Sequence, residues 1–174
     1  MTPPFRWATA ISGAACLIAI AAHPQSALAR EVVAFAESGY SAGTIVVKTN
    51  ERKLYYVLGD GHAVRYLVGV GKTGKAWSGT VRINGKYIRP AWSPPAEVKR
   101  DNPSLPNVIL GGSPRNPMGV AALTLSGGQY AIHGTNVPNS IGGFVSYGCI
   151  RMYNEDVLDL YGRVSVGTTV VVMR

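Results

Sequence analysis

Residues 44–70 read TIVVKTNERKLYYVLGDGHAVRYLVGV, and this stretch decides the fold. β-Branched and aromatic residues dominate it, and such residues suit the pleated, half-buried surface of a sheet. Thr44 to Lys48 is one candidate strand and Leu54 to Leu58 a second. Gly59-Asp60-Gly61-His62 supplies a tight turn, and Ala63 to Val70 returns as a third strand, so the segment reads as a β-hairpin joined to a neighbour.

Working outward, Thr80 to Ile88 reads as a further hairpin with Asn84-Gly85 as its type I′ turn. Ala121 to Leu125 and Gln129 to His133 pair across Ser126-Gly127-Gly128, and Thr169 to Met173 closes the chain as a strand. One helix is expected, late in the chain. Asn154 caps it, Glu155 and Asp156 sit in its first turn, and Val157, Leu158, Leu160 and Tyr161 form its apolar face, with Gly162 as its end. Seven of the 11 prolines fall between Pro90 and Pro117, which argues against a helix or a central strand there. A loop of that length in a compact domain more often lines a cleft or forms a lid than serves as a bare connector. Residues 30–42 read as a short leader with little structure. With 174 residues and no repeats, the expectation is one mostly-β domain over residues 43–174, with a single short C-terminal helix.

The first 29 residues carry an address. Arg6 precedes an apolar run from Ala8 to Ala22, and Ala27-Leu28-Ala29 is a small-residue cleavage site. The run is short for a bilayer, so a signal peptide over 1–29 is expected, with no transmembrane anchor, and with Arg30 as the mature N-terminus. The destination is the cell envelope, on the periplasmic side. Removing Arg6 lowers the formal net charge from +8 to +7. The remaining cations are scattered, with no run of five or more, so nucleic acid is disfavoured and an anionic matrix such as a cell wall is the better partner.

Cys16 leaves with the signal, and Cys149 is then the one thiol left, which excludes a disulfide within the mature chain. An unpaired thiol in an oxidising compartment asks for an explanation. His62 and His133 are the remaining histidines. His62 sits in the hairpin turn, where a solvated imidazole is the default. No cluster at metal-ligand spacing appears, so neither a metal nor another cofactor is expected. His133 ends a strand, and Ser146-Tyr147-Gly148-Cys149-Ile150-Arg151 follows after a loop rich in turn formers that lets the chain fold back. An imidazole beside a thiol accepts its proton and makes the nucleophile. Gly148 clears an approach to the sulfur, and the backbone N–H groups around Gly148 and Cys149 are candidate oxyanion donors. By spacing alone, a satisfied core histidine beside an inert buried thiol fits as well.

The run His133-Gly134-Thr135, then Ser146-Tyr147-Gly148-Cys149-Ile150-Arg151-Met152, resembles the signature of the YkuD-type L,D-transpeptidase catalytic domain. The resemblance extends from about Gly43 to Val172 and includes Gly69-Val70-Gly71-Lys72, Pro90-Ala91-Trp92, Asn116-Pro117-Met118-Gly119 and Val166-Gly167-Thr168. It implies a β-sandwich-like domain with its site in a cleft under the proline-rich loop. It also implies that Cys149 attacks the carbonyl between the third and fourth residues of a peptidoglycan stem peptide. D-Alanine leaves, and an amine resolves the thioester. His133 matches the family base and Gly134 the neighbour whose carbonyl orients it. Arg151 matches a motif position suited to a substrate carboxylate or to holding the loop. Ser146, Tyr147 and Trp92 are further candidates for substrate contact.

Two departures stand out. Tyr147 occupies a position where many members carry histidine, and Ala76-Trp77-Ser78-Gly79-Thr80 replaces a common Thr-Pro-x-Gly, leaving Trp77 as a cleft wall or a core residue. A sortase-like transpeptidase would want its arginine on a later strand, and papain-like peptidases place cysteine before histidine. A catalytically inactive wall-binding or anchoring domain would have no need of both Cys149 and His133. The acyl acceptor is open among another stem's amine, a lysine of an outer-membrane protein or lipoprotein, a free D-amino acid, and water.

Overall fold

The period-two alternation over residues 44–70 sorts side chains onto the two faces of a sheet. Ile45, Val47, Leu54, Val64 and Tyr66 enter one apolar cluster, while Val46, Tyr55, Val57 and Ala63 enter another on the opposite face. The computed structural model describes residues 30–174. The expected signal peptide, its cleavage site and Cys16 lie outside the described residues.

In chain order the elements are β1 (Arg30–Ala34), β2 (Ile45–Lys48), β3 (Lys53–Gly59), β4 (His62–Leu67), β5 (Val70–Gly71) and β6 (Gly79–Ile88). Then come α1 (Ala96–Asp101), β7 (Ala121–Leu125), β8 (Ala131–His133), β9 (Phe144–Ser146), β10 (Ile150–Arg151), α2 (Asn154–Arg163) and β11 (Thr169–Met173). Nine strands join in the order β1-β4-β3-β2-β11-β6-β7-β8-β10, and β5 pairs with β9. Residues from both halves of the long sheet, with Val157 and Leu160 of α2, meet in one core. This is the mostly-β, sandwich-like architecture expected. Each fully buried Leu or Ile in that seam contributes about 1.5–3 kcal/mol of transfer free energy, against about 0–1 for an exposed ion pair. Apolar burial, not charge, holds the halves together.

Four local expectations are corrected. Thr80 to Ile88 is not a hairpin but the single strand β6. Its first half pairs with β11 and its second with β7, with a register shift between Ile83 and Gly85. Two ready-made partner strands outweigh the turn preference of Asn84-Gly85, and the glycine becomes an irregularity where the ladder changes partner. Residues 30–42 are not unstructured. β1 pairs antiparallel with β4, and Phe35 and Tyr40 cover the outer face of the sheet beside Tyr55, with Phe35 and Tyr55 ring centroids 5.2 Å apart. The Arg30 guanidinium lies 3.8 Å from Asp156 and 3.5 Å from Asp159.

The proline-rich stretch does carry a helix, α1, because Ala96–Asp101 is a proline-free run and Pro95 stands at its N-terminus, where the missing N–H costs nothing. Finally, Asn154 does not cap α2; Tyr153 is the cap position and makes no side-chain bond, and the helix runs through Gly162 to Arg163. The Asn154 amide reaches across to the neighbouring segments instead, where its Oδ1 accepts the Thr135 N–H at 3.0 Å. Among the described residues no helix is long and apolar enough to cross a membrane.

Candidate active site

Parallel pairing of β10 with β8 sets Ile150 opposite Ile132 and Arg151 opposite His133. Ile132 and Ile150 face the core. Alternation then sends His133, Arg151 and Cys149 to the other face, and all three line one cleft of about 600 Å³ beneath α1. β10 is held on its far side as well, since Gly69 and Arg151 exchange two backbone hydrogen bonds of 2.8 Å.

His133 is 3% exposed, and its Nδ1–H donates to the Gly134 carbonyl at 2.7 Å. A carbonyl can only accept, so that bond places the ring proton on Nδ1 and the lone pair on Nε2. Burial first, and the Arg151 charge second, push the imidazole down to about 4, against the carbonyls of Gly134 and Pro117. Burial pushes the half-buried Cys149 thiol up, opposed by the Ala131 backbone and by Arg151. The resting pair is therefore a neutral imidazole and a neutral thiol. Burial also presses the Arg151 pKa down, and its Nε is buried with no hydrogen-bond partner among the described residues. A guanidinium left in that condition favours an incoming carboxylate.

The turn before Cys149 is braced from three sides. The Ser146 hydroxyl donates to the Cys149 carbonyl at 2.6 Å and accepts the Gly148 N–H at 3.1 Å. Ser146 lines the cleft but is 1% exposed, with its hydroxyl engaged in both bonds, so it braces the loop. The Gly148 N–H is likewise taken, so it is not a free oxyanion donor. Gly148 has φ +122°, and a Cβ there would collide with the Tyr130 ring. Only glycine suits that position. Trp77 stacks on Tyr130, with ring centroids 5.0 Å apart, and its Nε1–H donates to the Gly148 carbonyl at 2.8 Å. Trp77 is thus a brace for the loop. Tyr130 escaped the sequence reading, having no motif signal beyond an aromatic ring beside a strand.

Tyr147 lines the cleft and its hydroxyl reaches across to α1. Its hydroxyl donates to Asp101 of α1 at 2.7 Å, and the Lys72 ammonium lies 3.8 Å from its ring centroid. Lys75 pairs with Glu97 of the same helix. At the base of the loop, Trp92 lines the cleft and exchanges backbone hydrogen bonds of 2.8 Å with Ile109. Buried Asn116, 1% exposed, donates from Nδ2 to the Pro90 carbonyl at 2.8 Å and accepts the Met118 N–H at 2.9 Å. The loop is pinned at its base and latched at its tip. Removing either partner of the tip hydrogen bond, in Tyr147→Phe or Asp101→Ala, speeds amide exchange over α1 by about two- to tenfold, the effect of one net hydrogen bond. The double variant gains nothing further. Unchanged exchange in Tyr147→Phe would remove the latch. His62 remains exposed in its turn, with Nδ1 2.8 Å from the Asp60 carbonyl.

A family model described as the L,D-transpeptidase catalytic domain, YkuD, matches residues 42–172. The probable L,D-transpeptidase YbiS of Escherichia coli K12 is 41% identical over 135 residues, covering 72% of this chain and 43% of that protein. The probable L,D-transpeptidase ErfK/SrfK of the same strain is 39% identical over 138 residues, covering 74% and 43%. The chain thus spans less than half the length of these curated relatives. Among solved structures, an L,D-transpeptidase from Mycobacterium smegmatis superimposes with a TM-score of 0.60 at 19% identity, over 75% of this chain and 58% of that one. The catalytic domain of an E. faecium L,D-transpeptidase acylated by ertapenem gives 0.58 at 18% identity, over 78% and 100%. At such identities the structural likeness is one of fold.

Proposed function

The chain belongs to the YkuD family of L,D-transpeptidase catalytic domains, and on that premise we propose that it transfers peptidoglycan stem peptides through a thioester on Cys149. The observation that carries this reading is the β8–β10 register, which brings a thiol, an oriented imidazole and an unpaired guanidinium into one cleft. His133 Nε2 takes the thiol proton as sulfur bonds to the carbonyl carbon between the third and fourth stem residues. The C–N bond breaks, the proton passes to the departing nitrogen, and D-alanine leaves a thioester behind. An amine then attacks that thioester, giving its proton to His133; a new amide forms and the proton returns to sulfur. Arg151, whose guanidinium lines the cleft, holds the substrate carboxylate.

The protein acts in the periplasmic cell envelope, to which the apolar run from Ala8 and the Ala27-x-Ala29 pattern address it. The acceptor is an amine of a second stem or of a wall-attached protein. Incubation with purified tetrapeptide muropeptides releases free D-alanine, and the mass of the product identifies the acceptor. A protein that binds the muropeptides yet releases no D-alanine would be a wall-binding domain instead.

A further inference from the structure

The face that carries Cys149, Arg151 and His133 does not end at them. Across the ladder, His133 on β8 faces Ala122 on β7, and Ala122 faces Tyr87 on β6, while Ala131 faces Thr124. These residues alternate with the core-facing Leu123 and Ile132, so they share the cleft side of the sheet. Small side chains in the middle make this stretch a trough. At Gly85 a Cβ would stand 2.7 Å from both the Thr124 hydroxyl and the Tyr87 ring, so glycine is what lets that ring lie back over the strand. Trp92 and the residues after it wall the trough, giving a cavity of about 610 Å³ that opens into the Arg151 cavity along Trp92, Met118, Gln129, Tyr130 and Cys149.

The two cavities differ in charge. Arg151 and Glu97 line one; no Asp, Glu, Lys, Arg or His lines the other. Besides the Cys149 thiol, its polar side chains are the amides of Asn84 and Gln129 and the hydroxyls of Ser93, Thr124, Tyr87 and Tyr130, set among aromatic rings. That lining suits an uncharged pyranose. The C–H faces of a sugar ring rest on aromatic faces, and its hydroxyl and N-acetyl groups exchange hydrogen bonds with amides and hydroxyls. A charged group would find no partner there.

Distance agrees. Neighbouring strands lie about 4.8 Å apart, so Tyr87 on β6 is roughly 14 Å across the sheet from the β10 edge beside Cys149. An extended peptide spans at most about 3.5 Å per residue, so three stem residues reach roughly 10 Å from the attacked carbonyl. The stem hangs from an amino sugar by its first residue, and that sugar falls over Thr124 and Tyr87. We propose that the uncharged cavity is a saccharide subsite, which holds the amino sugar of the donor and makes glycan-borne stems better donors than free ones. This rests on the acyl-transfer reading of Cys149.

Acylation of Cys149 is followed by intact mass with two donors, a disaccharide-tetrapeptide and the same tetrapeptide without sugar. The disaccharide form acylates faster, and Tyr87→Ala lowers that preference about tenfold, the effect of one lost aromatic contact. Tyr87→Phe keeps the ring and the preference, as does Val32→Ser on the exposed edge strand β1. A carbapenem, which carries no sugar, reports the Cys149 chemistry separately in every variant. Equal rates for the two donors, or a preference untouched in Tyr87→Ala, overturns the subsite while leaving the Cys149 reading in place. Should Tyr87→Ala slow only the later transfer to an amine, the cavity takes the acceptor and the saccharide assignment is wrong. No adduct with either donor or with the carbapenem overturns the Cys149 reading, and the subsite with it.

Discussion

Treated with a carbapenem, the protein takes up the mass of one adduct, on Cys149, and Cys149→Ala takes up none. The loss is complete because the proposed route runs through sulfur: Cys149 is the free cysteine among the described residues, and it lines the cleft with His133 and Arg151. Its resting state matters to how the reaction begins. Burial holds the thiol above its ordinary pKa, so on the proposed route sulfur starts protonated and is activated as its proton leaves for the imidazole. An adduct that survives in Cys149→Ala, or one located on another residue, would discard the nucleophile and the thioester route together. Intact-mass spectra of the two proteins, followed by mapping of the modified peptide, give the answer.

His133→Ala slows that acylation by on the order of 10²-fold or more, the usual magnitude of general-base help. His62→Ala, in an exposed turn, serves as the comparison. The pH dependence adds a sharper test. A histidine ordinarily titrates near 6.5, but burial and Arg151 hold His133 at about 4. The sign follows: the imidazole remains an available base from neutral pH down to about 4 and is lost only below that. Acylation should therefore show no inflection near 6.5 and should fall in the acid limb near 4, as a macroscopic value of the coupled His133–Cys149 pair. The same shift acts on stability. Between pH 6.5 and 4 the unfolded chain binds a proton that the folded chain refuses, so folding loses on the order of 3 kcal/mol as pH falls through that window. His133→Ala removes that acid sensitivity along with the activity. A rate profile with a step near 6.5, or a variant no slower than His62→Ala, would assign the base elsewhere.

Some of this was legible because it is local. Alternation at Ile45, Val47, Leu54 and Tyr66 states which face is buried, whatever the strand pairs with. The pairing of β7 with β8 was readable for the same reason, although the connection runs over residues 126–130 and β8 begins at Ala131, not Gln129. Where tertiary partners compete with local preference, the reading failed. Asn84-Gly85 prefers a turn, yet β11 and β7 each offered β6 a ladder, and the two ladders prevailed. Proline counting over Pro90 to Pro117 missed α1 because the average hid a clean six-residue run. The leader gained its structure from a partner, β4, that lies about 30 residues away in sequence.

The candidate site divides along the same line. From the sequence alone came the identities of Cys149 and His133, their scarcity, and the turn formers that let one segment return to the other, because composition and spacing are properties of the chain itself. The register decided the rest. Burying His133, and opposing Arg151 to it, depresses the imidazole; folding α1 over the cleft draws Tyr147 to Asp101; and closing the 146–149 turn engages Ser146 and the Gly148 N–H within the loop. A one-residue slip of β10 would turn Cys149 and Arg151 into the core and leave every local signal as it is. Proton affinity and hydrogen-bond partners depend on burial and on neighbours distant in sequence, and only the packed tertiary structure supplies both.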